Sequence, residues 1–307
     1  MSEPISYWGI LILVLVGIGV SYYCKRNQFM VSQSLVFINF GIFATWWILL
    51  LLKPTTSMAV DAFVSLGFKS AYLESPGIEL LTLVSAMFMH AGPMHLLLNM
   101  LILILLGVPF EDRIGSRSFL RIYVVSGILG SLITGSISVW NQSGLETINI
   151  GASGAVFGIM GGFALLYPRD EIPMLLGPIF MHRVPVFLAT LVFVAMETFY
   201  VGMGTEDGIG HTTHMASFVI GVFVAPYYTS KDTSVEIKLN LDIDKFRKVS
   251  SITKKGYYEL EMMQTADEPE LLDAWIETFW EAQECPDCKT PITPMGVCSE
   301  CGTNFMD

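Results

Sequence analysis

Long apolar stretches separated by short polar segments dominate the first three quarters of the chain. Seven of them have about the length that the ~30 Å hydrocarbon core of a bilayer requires of a helix. The fifth and seventh are shorter and rich in Gly, Ala, Ser and Thr, which is typical of close helix packing within a membrane bundle. The pattern predicts an all-α, polytopic membrane protein. The approximate ranges are 6–24, 32–52, 82–106, 118–140, 150–167, 181–201 and 210–228.

The composition separates a membrane part from a soluble part. Hydrophobic residues make up 52% of the chain and charged residues 15%, whereas a soluble domain carries about 25% charged residues. Residues 231–307 hold 16 acidic and 8 basic side chains. We therefore expect an extra N-terminal transmembrane helix (1–28), a six-helix core (29–230) and a small acidic cytosolic domain (231–307).

The first apolar stretch has two readings, a cleaved signal peptide or a retained helix. Residues 1–7 carry no positive charge, the basic pair Lys25 and Arg26 follows the stretch, and no small-x-small cleavage motif is evident. These features favour a retained transmembrane helix.

Basic residues fall on one side of the membrane when the loops are counted alternately. That distribution predicts an N-terminus outside the cytosol and a cytosolic C-terminal tail, because positive loops stay inside. The other side holds only Lys53 and Lys69. The positive side holds Lys25, Arg26, Arg113, Arg117, Arg121, Arg169, Arg183 and Lys231.

Three polar clusters lie at the predicted outer ends of helices, where polar groups are costly and therefore informative. The first contains His90, His95 and Asn99. His95 and Asn99 are four residues apart and share one helix face. Either they line the bundle as a hydrogen-bonded polar face, or they donate to a reacting group. A metal site is a third reading, although Asn is a poor ligand and no carboxylate is placed to complete the site.

The second cluster surrounds Ser153, which stands between Gly151 and Gly154 at the start of the fifth predicted helix. Glycines continue at helical spacing through Gly158 and Gly161, so one reading is a packing seam in which Ser153 is merely small. The other reading is a nucleophile, because free N–H groups and the positive end of the helix dipole lie beside it.

The third cluster opens the seventh predicted helix. His214, Ser217 and Gly221 are spaced i, i+3 and i+7 and so share a face. His211 is interpreted as a membrane-interface residue, whereas His214 lies about one turn deeper.

Together the clusters contain the groups needed for acyl transfer. Ser153 would be the nucleophile and His214 the general base and acid. His95, Asn99 and a backbone N–H would form an oxyanion hole, each donor contributing ~2.7–4 kcal/mol to the transition state. No carboxylate is obviously placed to orient His214, so we expect a dyad. Glu197, in the sixth helix, is interpreted as an interface residue or a packing hydrogen bond rather than an aid to water access.

At these residues the sequence resembles the rhomboid family of intramembrane serine proteases, over about 200 residues. His90, His95 and Asn99 are similar to its HxxxxHxxxN helix, and Gly107 with Glu111 to the exit of that helix. The segment from Gly151 to Gly154 is similar to its GxSG motif, and His214 with Gly221 to its last helix.

The resemblance implies a six-helix rhomboid-like core, a Ser153–His214 dyad, and His95 and Asn99 as oxyanion donors. It implies an aromatic ring, Phe157, packed on the catalytic histidine, with Gly151, Gly154 and Gly221 as supporting residues. Expected substrates are transmembrane proteins cut in or near their helices, entering beside the sixth helix around 187–199. No cofactor is needed for that chemistry.

Two departures from the family pattern stand out. The family's Trp-Arg pair in the first long loop is missing, and Ile78 and Glu79 lie near its place. This departure leaves open how the 53–80 loop is held against the helices. Ser217 stands where a glycine is usual, a small enlargement of a packed face.

The cytosolic tail contains two patterned segments. The alternation of Val235, Ile237, Leu239, Leu241 and Ile243 predicts a strand. A helix start at 267–270 precedes an apolar stripe, which we interpret as the tail's own core rather than a partner site. The stripe comprises Leu272, Trp275, Ile276, Phe279 and Trp280.

The chain ends in paired C-x-x-C motifs, Cys285 with Cys288 and Cys298 with Cys301. Four thiolates at this spacing are typical of tetrahedral structural zinc, and the segment 283–305 resembles a zinc ribbon. A reducing cytosol argues against a disulfide framework. The acidic surroundings favour a protein contact or simple stabilisation, and disfavour nucleic acid.

Two other functions are open to a protein of this class. A non-catalytic rhomboid-like protein that binds transmembrane helices would not need the complete set of Ser153, His214, His95 and Asn99. A transporter would show repeated halves or a charged pathway, and neither is seen. The family and the tail lead us to expect a multi-pass protein in the plasma membrane of a prokaryote.

Overall fold

The computed structural model describes residues 7–52, 57–176, 179–204, 210–232, 243–265, 269–294 and 296–305. The chain divides into two compact units, Met1–Asp232 and Thr233–Asp307, each described here by itself. The helices of the first unit are α1 (Tyr7–Arg26), α2 (Val31–Leu52), α3 (Ser57–Leu66), α4 (Thr82–Ser85), α5 (Pro93–Ile102), α6 (Val108–Asn141), α7 (Ser153–Leu166), α8 (Val186–Met203) and α9 (His211–Asp232). The division at residues 28 and 29 stays a prediction.

Four helical segments of the described residues are long and apolar enough to cross a membrane: Tyr7–Arg26, Val31–Leu52, Pro93–Asn141 and Val186–Met203. The third contains two predicted helices, because Gly115 (φ 77°, ψ 153°) breaks the helical backbone between them. The prediction of a polytopic helical membrane protein is confirmed. Its fifth and seventh predicted helices correspond to α7 and α9.

The prediction of one continuous helix over 82–106 is wrong. The chain runs through α4 and a 3₁₀ turn (Ala86–Phe88), becomes extended at Met89, and starts α5 only at Pro93. Gly92 is extended (φ −177°, ψ 173°), as the residue before a proline prefers. A single π-helical turn, Leu103–Gly107, then joins α5 to α6. His90 therefore lies in a loop that precedes the helix of His95 and Asn99.

Helix α7 is the buried centre of the first unit, with every residue from 154 to 163 buried. It can be apolar on all sides because it contacts protein rather than lipid all round. Its close neighbour is α9: a Cβ on Gly221 would collide with the backbone of Gly158, and one on Gly161 with the carbonyl of Phe218. The predicted glycine seam is therefore a real helix–helix contact.

Ser217, the larger residue in that face, is accommodated by glycines opposite it. It is fully buried, and a Cβ on Gly130 of α6 would overlap its hydroxyl. A Cβ on Gly154 would lie 3.2 Å from the same oxygen. Two glycines thus provide the space that the extra side chain needs.

A β-hairpin precedes α8, and the sequence pattern did not predict it. Strand β3 (Glu171–Leu176) pairs antiparallel with β4 (Ile179–Pro185), with a bulge between Ile172 and Met174. The predicted sixth helix began at residue 181, but 181–185 belong to β4 and α8 starts after Pro185. Apolar residues continue across this boundary, so hydrophobicity alone does not mark it.

The loop before α4 is seated by strand pairing. Strand β1 (Phe68–Lys69) pairs with β2 (Ile148–Asn149), just before α7, and Ala71 N–H donates to Leu145 O at 3.0 Å. Lys69 Nζ lies 2.9 Å from Glu146 Oε2, and this carboxylate raises the pKa of Lys69. The loop is therefore held in place without the family's Trp-Arg pair.

Glu111 joins the ends of two helices. Its carboxylate accepts the N–H groups of Val31 (2.7 Å) and Ser32 (2.6 Å) at the start of α2. A buried carboxylate suits this position because it satisfies free N–H groups and the positive helix end together.

The second unit contains α10 (Ile243–Thr253), α11 (Tyr257–Thr265) and α12 (Pro269–Ala282). The predicted apolar stripe on α12 belongs to this unit's own core, with Leu272, Phe279 and Trp280 buried against Phe246 and Val249 of α10, which confirms that interpretation. The predicted strand falls on 235–242, outside the described residues, and Ile243 begins α10 instead.

Candidate functional site

Ser153 and His214 meet in the first unit. Ser153 is the first residue of α7, and its Oγ lies 2.7 Å from Nε2 of His214, one turn into α9. The close α7–α9 packing at Gly158 and Gly221 brings the two side chains together. His214 is only 6% exposed, so this hydrogen bond lies away from bulk solvent and is electrostatically stronger than it would be in water.

Gly151 shapes the approach to Ser153. Its φ of 118° lies in the region that favours glycine, and its N–H donates to Ala86 O at 2.9 Å. A Cβ at this position would lie 2.8 Å from Nε2 of His95 and 3.6 Å from Ser153 Oγ. The missing side chain thus lets the His95 ring lie next to the serine.

The hydrogen bonding of His95 fixes which of its nitrogens can donate. Its Nδ1 accepts the N–H of Ala91 at 3.3 Å, so a neutral ring carries its proton on Nε2. Nε2 is the nitrogen beside Gly151. A donor therefore points toward the space next to Ser153.

Asn99 lies one turn further along α5 and is used differently. Its Nδ2 donates to the carbonyl of His95 at 2.8 Å, and among the described residues its buried Oδ1 has no hydrogen-bond partner. His90 lies beside His95, with ring centroids 5.1 Å apart, and its Nε2 is 3.5 Å from the N–H of Ala152. The structure thus places the His95 ring next to Ser153. The contacts observed for Asn99 among the described residues do not include Ser153.

Phe157, one turn after Ser153, stacks on His214. The ring centroids are 4.5 Å apart and the planes differ by 5°. Stacking fixes the plane of the imidazole, so the ring can rotate little about its long axis.

Glu197 is the contact that sequence reasoning missed. Its Oε1 lies 3.1 Å from His214 Nδ1, and its Oε2 lies 2.6 Å from His211 Nδ1. The side chain is 12% exposed, and its bond to His211 on the next helix agrees with one of the two interpretations of Glu197, a packing hydrogen bond. The contact with His214 was not predicted. The ligand atoms of the three side chains lie within 4.8 Å of one another, a spacing that a metal ion could use; the direct Glu197–His211 contact satisfies those atoms without one. The signal for this contact in the sequence was weak: His211 and His214 three residues apart in one helix, and Glu197 in the helix before it.

A polar and an apolar cavity are lined by described residues of the first unit. A polar one of about 180 Å³ is lined by Ser70, Ser131, Thr134, Ser138, Asn149 and Thr213, the residue before His214. An apolar one of about 210 Å³ lies between α5 and α8, with Leu98, Leu101, Ala189 and Phe193 in its wall. The first cavity is lined by residues of the loop before α4, of α6 and of the first turn of α9.

The second unit carries a separate cluster of four cysteines that could hold a metal. The Sγ atoms of Cys285 and Cys288 are 3.8 Å apart, those of Cys285 and Cys301 3.8 Å, and those of Cys288 and Cys298 4.0 Å. Tetrahedral zinc with Zn–S bonds near 2.3 Å places its sulfurs about 3.8 Å apart. The donor set fits such an ion.

The two cysteine pairs share one backbone pattern. Lys289 N–H donates to Cys285 O at 2.9 Å and Gly302 N–H to Cys298 O at 3.1 Å, four residues apart in both cases. The donor residue has a positive φ each time, 60° at Lys289 and 70° at Gly302. The repeated turn aims both thiols of each pair to one side.

The thiols differ in their surroundings. The Thr290 hydroxyl, 3.2 Å from the sulfur, lowers the pKa of Cys298 to about 6, and the Thr303 hydroxyl lowers that of Cys301. Hydrogen bonding with Cys301 raises the pKa of Cys288 to about 12.

These features define a polytopic helical membrane protein in which a serine and a histidine from two central helices meet. Residues 78–231, about half of the chain, match the Rhomboid domain family. The chain therefore belongs to the rhomboid family.

Similar proteins also carry rhomboid names. The chain is 27% identical to Rhomboid-like protease 3 of Toxoplasma gondii over 50% of its length, and 30% identical to RHOMBOID-like protein 4 of Arabidopsis thaliana over 58%. It is 25% identical to the mitochondrial Rhomboid protein 1 of Saccharomyces cerevisiae over 68%. The matched segments span about half of these relatives, 53%, 42% and 56% of their lengths.

Proposed function

We propose that this chain is an intramembrane serine endopeptidase that hydrolyses peptide bonds in or near the transmembrane helices of other membrane proteins. The observation that carries the proposal is the 2.7 Å contact between Ser153 Oγ and His214 Nε2, formed between two central helices. Membership of the rhomboid family supports it, since one relative is named a protease.

The chemistry would run in two halves. Ser153 Oγ attacks the scissile carbonyl carbon while its proton passes to His214 Nε2. The tetrahedral intermediate then collapses, the C–N bond breaks, and His214 returns the proton to the leaving amine. Water attacks the acyl-enzyme in the second half, again deprotonated by His214, and releases Ser153 with the new carboxyl terminus.

The oxyanion would be stabilised by donors already turned toward Ser153. The free N–H groups of the first turn of α7 and the Nε2–H of His95 are the candidates. Asn99 is proposed as a second side-chain donor, and its Nδ2 must then turn from the His95 carbonyl that it now contacts.

Substrate and water would reach the site by different routes. The polar cavity beside Thr213 would admit water. A substrate helix is proposed to enter from the side beside α8, around residues 187–199, as the family resemblance implies. The apolar cavity with Ala189 and Phe193 in its wall supports that side. Exposed apolar residues along α8, including Phe187 and Phe199, suit contact with lipid or a substrate helix.

The cysteine cluster is proposed to hold structural zinc in the tail. A closed set of four sulfurs leaves no coordination position for a substrate, so zinc there would stabilise the fold and take no part in proteolysis. The tail is proposed to be cytosolic, with the N-terminus outside, on the distribution of Lys and Arg. A prokaryotic plasma membrane and a protein partner for the tail remain proposals from the sequence.

The test uses purified protein in liposomes with a model transmembrane substrate carrying small residues near its outer end. Wild type is compared with Ser153→Ala and His214→Ala. We expect wild type to cut the substrate at one position and both variants to lose cleavage. If wild type cuts none of several such substrates but binds them, the non-catalytic helix-binding function replaces this proposal.

A further inference from the structure

The carboxylate of Glu197 lies between two histidines of the next helix. One oxygen is 3.1 Å from Nδ1 of His214, and the other is 2.6 Å from Nδ1 of His211. The side chain of Glu197 is 12% exposed, and those of His211 and His214 are 7% and 8% exposed. Each carboxylate oxygen therefore has its own imidazole partner in a site largely closed to solvent.

Glu197 contacts His214 at Nδ1, the ring nitrogen that faces away from Ser153. Nε2 of the same ring lies 2.7 Å from Ser153 Oγ. A proton on Nδ1 would face the carboxylate and leave Nε2 as an acceptor, which is the tautomer that a general base for Ser153 requires. Nδ1 has no hydrogen bond of standard geometry among the described residues, although catalytic hydrogen bonds commonly tighten only when substrate binds.

His211 holds the carboxylate in place. Its short contact fixes the second oxygen, and the ring of Tyr200 stacks on His211 at 4.9 Å and 14°. Tyr200 and Glu197 both lie on α8, three residues apart. The carboxylate is thus restrained from both sides before any substrate arrives.

We propose that Glu197 is a positioning residue for the Ser153–His214 pair, which holds the imidazole in its productive tautomer and orientation. The inference rests on the proposed protease function and adds Glu197, as a positioning residue, to the Ser153–His214 pair. The negative charge of Glu197 also faces the positive charge that His214 gains when it takes the serine proton.

The experiment compares Glu197→Gln, which keeps the shape and removes the charge, with wild type. Thr198→Ala is the matched control, because Thr198 is exposed on the same helix and its hydroxyl donates to the backbone carbonyl of Val194 at 2.7 Å. Three quantities are measured: kcat and KM for a transmembrane substrate in liposomes, the rate of serine labelling by a fluorophosphonate, and thermal unfolding.

We expect Glu197→Gln to lower kcat about 10- to 100-fold with KM changed less than about twofold, a smaller loss than the ~10⁴-fold that follows removal of the carboxylate charge from a complete triad. Labelling should slow by the same factor, since it also needs a deprotonated serine but no substrate helix. The unfolding temperature should stay close to that of wild type, and Thr198→Ala should match wild type throughout.

Two results would overturn the inference while leaving the protease proposal intact. One is a Glu197→Gln variant with wild-type kcat and labelling rate. The other is faster cleavage with unchanged labelling, which would make Glu197 a latch that holds α8 against α9. A wild type that neither cuts nor labels would instead refute the proposed function, and this inference with it.

If Glu197→Gln fails to fold, His211→Gln keeps the inference testable. Loss of the His211 contact frees one carboxylate oxygen, so labelling should slow by about two- to fivefold, in line with the loss of one supporting hydrogen bond of roughly 0.5–1 kcal/mol. An unchanged labelling rate in this variant would contradict the restraint described above.

Discussion

The imidazole of His214 lies flat on the ring of Phe157, with centroids 4.5 Å apart and planes 5° apart. Phe157 is one helical turn after Ser153 on α7, so the helix that carries the serine also orients the histidine. The two rings and the serine are held together, because residues 154–163 of α7 are buried.

Removing the stacked ring should therefore slow catalysis more than it weakens substrate binding. We expect Phe157→Leu to lower kcat about 3- to 10-fold, because an aromatic stack contributes ~0.5–1.5 kcal/mol beyond its area. Phe157→Tyr, which keeps the ring, should retain most of the activity. Steady-state cleavage in liposomes measures both; equal rates for the Leu and Tyr variants would contradict an orienting role.

The two proposed oxyanion side chains should differ in importance. His95→Ala should lower kcat by about 10²–10³-fold, the usual effect of losing one oxyanion donor. Asn99→Ala should lower it less, because Nδ2 of Asn99 already donates to the His95 carbonyl. The kcat values of the two variants show which side chain contributes more to the reaction. A larger loss for Asn99→Ala would show that its amide turns to the oxyanion when substrate binds.

The contact between α7 and α9 should tolerate no side chain at Gly221. A Cβ there would collide with the backbone of Gly158, so Gly221→Ala should reduce the free energy of unfolding by about 1–3 kcal/mol, as overpacking does. Gly202→Ala on α8 is the matched control, since a Cβ at Gly202 meets nothing within 4 Å. Unfolding in mixed detergent micelles measures both; equal losses would refute the close approach.

Substitutions at the equivalent turn positions of the two cysteine pairs, Lys289 and Gly302, should have opposite effects on zinc release. Gly302 has a φ of 70° and Lys289 a φ of 60°, a conformation that costs a non-glycine residue roughly 1–2 kcal/mol. Gly302→Ala should therefore speed loss of bound zinc to a chelator, whereas Lys289→Gly should slow it. Metal release from the full-length protein, followed with a colorimetric chelator, tests this. Absence of any zinc in the purified protein would remove the metal proposal altogether.

The sequence predicted the membrane class and the groups that meet at the site, because each rests on local pattern. Stretches of apolar residues fix where helices form, and Gly151, Ser153 and His214 stand out as small or polar groups at membrane depth. The points at which helices end or are interrupted were harder to predict. Gly92 and Pro93 stand at the interruption before α5, although the apolar stretch 82–106 was interpreted as one helix. Apolar residues continue from Val184 across the boundary between β4 and α8, so hydrophobicity alone does not mark it.

Contacts between elements that no family motif or repeated spacing marks could not be predicted from one sequence. Glu197 and His214 come together only because α8 packs on α9, and neither spacing nor composition encodes that arrangement. The same holds for Ser217, whose fit depends on Gly130 in α6. The contact between Glu197 and His214 was not predicted because each helix was considered separately.

The most direct test of the central claim is the site of covalent labelling by a fluorophosphonate, mapped by mass spectrometry on protein in liposomes. The account predicts a single adduct on Ser153, absent in Ser153→Ala and lost in His214→Ala, although that variant keeps the serine. An adduct on another serine, or labelling of Ser153 that is unaffected by removal of His214, would contradict it.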